Sequence, residues 1–105
     1  MAFSVSMKAT LISPSGSIST NQPTYTWDAV NYADWYLLAV KDSTGAWPIN
    51  TWYPAAEAGC SSGTGTCSLV PGIALAAGDA EWYIQTWSSA YSVGAWSDPK
   101  TFVVP

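Results

Sequence analysis

Seven short runs rich in aromatic and branched residues dominate this sequence, each closed by a turn signal. They are KATLIS (8–13), PTYTWDAV (23–30), WYLLAVKD (35–42), WPINTWY (47–53), CSLV (67–70), AEWYIQTW (80–87) and KTFVV (100–104). PSGS follows the first, STG the third, and Pro71-Gly72 the fifth. Runs of this length, at this spacing, with Gly, Pro and Ser between them, predict five to seven strands of an antiparallel β-sandwich or barrel. PAAEAG (54–59) predicts a single helical turn before Cys60. The 105 residues are enough for one domain spanning 1–105, with residues 1–7 expected as a leading or linking segment.

The run AEWYIQTW raises the functional question. Successive residues of a strand face opposite ways, so Trp82 and Ile84 share one side while Tyr83 and Trp87 share the other. A sheet with one buried face alternates apolar with polar residues. Here both sides carry rings. Trp-Tyr pairs recur at Trp35-Tyr36, Trp52-Tyr53 and Trp82-Tyr83, and each pair puts one ring on each face. Seven Trp and six Tyr exceed what a core of this size requires.

PTYTWDAVNYADWYLLAVKD, LVPGIALAAGDAEWYIQTW and WSDPKTFVV together resemble a fibronectin type III-like module of the kind found in bacterial secreted or cell-surface proteins. The resemblance runs from about Leu11 to Val104. It implies an all-β immunoglobulin/fibronectin III-like sandwich, with Trp27, Tyr36 and the corner Leu75 in the core. The family's corner Tyr falls on Ala80, a departure from the pattern, and the Cys60–Cys67 segment lies outside it. The resemblance implies a fold and no chemistry.

Faces follow from parity. Tyr36, Leu38 and Val40 inward puts Trp35, Leu37, Ala39 and Lys41 outward. Ala80, Trp82, Ile84 and Thr86 inward puts Glu81, Tyr83, Gln85 and Trp87 outward. A hairpin around DSTGAW that pairs Val40 with Ile49 sets Leu37 opposite Trp52 and Tyr36 opposite Tyr53. Asn50 and Trp52 then also face out. The outer face of one sheet is thus expected to carry Trp35, Leu37, Trp52, Tyr83 and Trp87, a larger apolar patch than a monomer ordinarily exposes. Trp96 is expected to pack at the end of the sandwich. A purely structural module, its rings covered by its own loops, is a further reading, in which the SAYSVGAW loop (89–96) folds Tyr91 back over the sheet. Trp47 suits either a hairpin cap or an extension of the platform.

The first functional reading is carbohydrate binding: rings against the apolar faces of pyranose units, with polar groups such as Gln85, Asn50, Glu81 and Lys41 among them. Its expected binding residues are Trp35, Trp52, Tyr83, Gln85 and Trp87, and its partner a neutral polysaccharide or oligosaccharide. The alternative is a protein-interaction or spacer domain whose rings dock neighbouring domains of a larger protein or a second copy. An enzyme is not expected. The chain has no His and therefore no imidazole base, and Glu81 and Glu57 have no evident carboxylate partner. No cofactor is expected.

Net charge is −4, and the cations are Lys8, Lys41 and Lys100, which disfavours nucleic acid. No run is long enough to insert as a membrane helix. Asp28, Asp34, Asp42, Asp79 and Asp98 fall near turns without calcium-loop spacing, so turn and capping roles are expected and no metal site is assigned. Cys60 and Cys67 bracket SSGTGT, a span that closes a disulfide without strain; two free thiols are the competing reading. The disulfide implies a secreted or cell-surface location. The opening MAFSVSMKAT lacks the apolar stretch of a signal peptide, and the chain reads as one module of a longer protein.

Overall fold

The computed structural model describes residues 7–105. Its strands are β1 (Leu11–Ser13), β2 (Gly16–Ser17), β3 (Tyr25–Asp28), β4 (Trp35–Lys41), β5 (Ile49–Pro54), β6 (Thr66–Leu69), β7 (Gly78–Ser88), β8 (Ser92–Trp96) and β9 (Lys100–Val104). One sheet has the order β1-β3-β6. The other has the order β2-β9-β7-β4-β5, and β8 also pairs with β7. The two sheets face each other over one core, so the chain is an all-β sandwich.

All seven expected strands form. The first begins at Leu11 rather than Lys8, and two short strands are added. β2 pairs parallel with β9 through Gly16↔Phe102 and Ser17↔Val103. β8 occupies the edge of β7 that β9 occupies further along, through Gln85↔Trp96 and Trp82↔Lys100 respectively. The two are halves of one edge broken at Ser97–Pro99. Pro99 has no N–H to donate to a ladder. Ser97 bridges the break: its amide donates to the Ile84 carbonyl (2.8 Å) and its hydroxyl accepts from the Ile84 amide (2.9 Å). The 54–59 stretch forms a turn in which the Ala58 amide donates to the Pro54 carbonyl at 3.3 Å. Residues 1–6 of the expected leading segment lie outside the described residues. Met7 is buried, and its carbonyl accepts a 2.7 Å hydrogen bond from the buried Thr86 hydroxyl.

The expected inward faces are the buried ones. Tyr36, Leu38 and Val40 of β4 and Trp82, Ile84 and Thr86 of β7 are sealed from solvent. Trp27 from the opposite sheet meets Tyr36 at 5.3 Å and Trp82 at 6.3 Å, both edge to face. Tyr25 packs the same way on Trp82 at 5.3 Å and Phe102 at 6.4 Å. Edge-to-face contact is the favoured geometry, because it sets a positive ring edge on a negative ring face. The Trp82 indole N–H donates to the Pro14 carbonyl at 3.1 Å. Burial pushes the Tyr25 hydroxyl well above the ordinary tyrosine value and raises the Tyr36 hydroxyl as well. Leu75 is buried, and its amide donates to the Asn21 carbonyl at 2.9 Å. Ala80 is buried opposite Phe102.

The hairpin between β4 and β5 has the anticipated register, Val40↔Ile49, Leu37↔Trp52 and Tyr36↔Tyr53. Asp42 ends β4 by accepting at one carboxylate oxygen from the Thr44 amide (2.9 Å) and the Ala46 amide (3.3 Å). The Thr44 side chain and these amides hold the Asp42 carboxyl below its ordinary value. Gly45 takes φ +86° in the same turn, a conformation that costs glycine little. This places Trp47 two residues before β5, beside the outer face of the larger sheet. Cys60 and Cys67 form a disulfide with Cα atoms 5.1 Å apart. It joins the end of the 54–59 turn to β6.

Candidate functional site: an aromatic trough on the larger sheet

The outer face of β4, β5 and β7 is ordered by the ladder. Trp87, Trp35 and Pro54 form one row. Gln85, Leu37 and Trp52 form the next, and Tyr83, Ala39 and Asn50 the third. Glu81 and Lys41 face each other beyond them. The residues expected from parity therefore do share one face. They are not equally available. Trp35 and Trp52 remain 41 % and 38 % exposed, Tyr83, Gln85 and Trp87 are half-buried, and Leu37 is covered by its neighbours. The Gln85 amide donates to the Gly94 carbonyl of β8 at 3.3 Å, which leaves its oxygen free to accept.

The concave part of this face lies at the third row. A depression of about 540 Å³ is lined by Leu37, Ala39, Trp47, Asn50, Tyr83, Trp96 and Ser97. Leu37 and Ala39 form its floor. Trp47 and Trp96, 47 % and 44 % exposed, flank Tyr83. The Tyr83 ring is 6.0 Å from Trp47 and 6.2 Å from Trp96, with ring planes inclined at 41° and 83°. The Lys41 ammonium sits 6.0 Å from the Trp47 ring, at the limit of a cation–π contact. Partial burial, with the hydrogen bond and charge of Glu81 adding to it, raises the Tyr83 hydroxyl above its ordinary value.

One residue of this trough departs from the expectation, and another, left between two readings, takes one of them. Trp96 does not pack at the sandwich end. It lies on the outer face because the 92–96 segment is not a loop but β8, and the Gln85↔Trp96 pairing puts its ring beside Tyr83. Trp47 extends the platform rather than simply capping the hairpin. A period-2 signal in SVGAW was the available hint for Trp96, weakened by Gly94 and Ala95. Tyr91 is not folded over the sheet. It meets Tyr32 edge to face at 5.3 Å, at the end of the sandwich beyond the Trp35–Trp87 row.

Two further aspartates have partners distant in sequence. Asp34 accepts from the Ser89 amide at 2.7 Å, and this hydrogen bond holds its carboxyl below the ordinary value. Asp98 meets Lys8 at 3.0 Å on the surface. Among the described residues no three His, Cys, Asp or Glu side chains gather as metal ligands. No helix among them is long and apolar enough to cross a membrane.

No family model matches the sequence, and no curated protein matches it. Solved structures do share the fold. The chain is similar to the fibronectin(III)-like modules of CbhA from Clostridium thermocellum, at 8 % identity and a TM-score of 0.54, over 91 % of this chain and 94 % of that one. It is similar to CopC from Methylosinus trichosporium OB3b, at 17 % identity and a TM-score of 0.59, over 91 % and 92 %. It is also similar to part of ChiW, a cell-surface-expressed multi-modular chitinase of a Paenibacillus species, at 20 % identity and a TM-score of 0.55. There the match covers 96 % of this chain and 8 % of the chitinase. The chain is a fibronectin III-like β-sandwich.

Proposed function

We propose that this module binds a neutral polysaccharide without cleaving it, as an accessory domain of a larger secreted or cell-surface protein. The observation that carries the reading is the trough: Tyr83 between Trp47 and Trp96, over an apolar floor, with Asn50 at its edge. Exposed rings on a rigid sheet suit the C–H faces of pyranose units, and a few polar groups among them suit hydroxyls. Charge supports a neutral ligand. The outer-face residues of β4 and β7 carry Asp79 and the facing pair Lys41 and Glu81, and none of these charges lines the trough. The disulfide supports an oxidising compartment. Likeness to the fibronectin(III)-like modules of CbhA and to a small part of a multi-modular chitinase supports the accessory role.

Weak affinity is expected, with Kd in the micromolar to millimolar range, or about −4 to −8 kcal/mol. Affinity electrophoresis through gels cast with neutral polysaccharides, with light scattering on the same sample, tests the proposal. At least one glycan should retard a monomeric wild-type chain, and Trp96→Ala should run unretarded. No retardation by any glycan, together with a dimer in solution, would instead assign the aromatic face to protein contact.

A further inference from the structure

We infer that the glycan surface continues from the trough to a second aromatic contact formed by Tyr32 and Tyr91, so that the ligand is one extended chain long enough to reach both. The inference rests on the carbohydrate-binding reading above.

Ring orientation argues for a single chain. Trp47 and Trp96 are inclined to Tyr83 by 41° and 83°. Rings so inclined line a trough and share no plane, so a flat crystalline glycan surface cannot rest on all three. An individual chain lying in the trough can.

Ring order gives the direction. Trp87 lies four residues beyond Tyr83 on β7, a distance of roughly 13 Å along the strand. Trp35, exposed, lies beside Trp87 there. Beyond that row, Asp34 joins the two loops at the sheet's end. Its amide donates to the Trp87 carbonyl at 2.8 Å, and its carboxylate accepts from the Ser89 amide at 2.7 Å. Tyr32 stands two residues before Asp34, and Tyr91 two residues after Ser89. Their rings meet at 5.3 Å, and they remain 54 % and 45 % exposed.

The backbone under Tyr32 is the independent observation. Tyr32 takes φ +73°, a left-handed conformation that is a genuine outlier for so bulky a residue. Such strain persists only where surrounding structure imposes it, and it concentrates at ligand contacts. The disulfide-closed loop packs against this turn. Gly63 packs so closely that a Cβ would come within 3.1 Å of the Asn31 Cα, and the Gly65 carbonyl accepts from the Ala29 amide at 2.9 Å. The result is an exposed ring that adds little to the core. Neither loop, 29–34 or 88–92, carries Lys or Arg, so a neutral ligand suits this end as it suits the trough.

Calorimetric titration with a length series of oligosaccharides, cut from whichever polysaccharide retards the protein, tests the inference. Wild-type affinity should rise with chain length and then level off. Tyr91→Ala, verified as folded by thermal unfolding, should match wild type on the shortest oligomers. On the longest it should bind about tenfold more weakly, the scale of one well-made aromatic contact. Trp96→Ala should weaken every length. Tyr91→Ala equal to wild type at all lengths would overturn the second contact and leave the trough intact. Binding to insoluble crystalline glycan but to no soluble oligomer would overturn the single-chain ligand. A wild-type protein that binds no glycan of any form would remove the carbohydrate reading itself, and this inference with it.

Discussion

The Ser97 hydroxyl takes the place of a backbone carbonyl opposite the Ile84 amide, 2.9 Å away, and so carries the edge ladder across its break. Trp96 precedes it directly, so this side chain helps to fix where the trough's wall stands. Ser97→Ala removes the acceptor and leaves a buried N–H unpaired. It should cost about 1–3 kcal/mol and should also weaken glycan retention. Ser19→Ala, at an exposed loop position, should stay within about 0.5 kcal/mol. Urea unfolding of the pair reads the difference.

Trp27 and Trp35 separate the two roles of tryptophan in this chain. Trp27 is sealed between Tyr36 and Trp82, whereas Trp35 lies on the outer face. Trp27→Ala should destabilise by about 3–5 kcal/mol. Trp35→Ala should stay within about 1 kcal/mol, as exposed substitutions do. Equal losses in chemical denaturation would overturn the assignment of the outer face.

Reduction of Cys60–Cys67 releases a loop with a sequence separation of 7. In the chain-entropy view, closing so short a loop contributes about 2–3 kcal/mol. Tm should fall on reduction. Hydrogen exchange should quicken first at the Ala29 amide, which donates to Gly65 inside that loop. Uniform quickening across β4 and β7 would show that the disulfide does not act locally on the 29–34 turn.

Acid should loosen the joint between the 29–34 and 88–92 loops. The Asp34 carboxyl is held below its ordinary value by the Ser89 hydrogen bond, so folding favours its ionised form. The contribution is therefore fully present above the ordinary aspartate value of about 4 and is lost as pH falls through the lower, folded value. The Ser89 amide resonance should shift over that acidic range in wild type. In Asp34→Asn it should stay unchanged.

Much of this molecule can be read along the chain, because strand parity is local. A side chain's face depends only on its neighbours in an extended backbone. For that reason Tyr36, Trp82 and Ile84 fall inside, Trp35 and Tyr83 fall outside, and the Val40↔Ile49 register follows from keeping both residues buried. The disulfide is equally local, with six small residues between its cysteines. The trough is not local. Trp96 reaches Tyr83 only because a break at Ser97–Pro99 lets one edge of β7 carry two strands, a pairing that residues 92–96 do not encode by themselves. Tyr32 meets Tyr91 only because Asp34 holds two separate loops together. The sequence by itself determined which rings of β4, β5 and β7 leave the core. The tertiary structure decided which of them meet, because ring-to-ring contact depends on lateral pairing and loop closure between residues far apart in the chain.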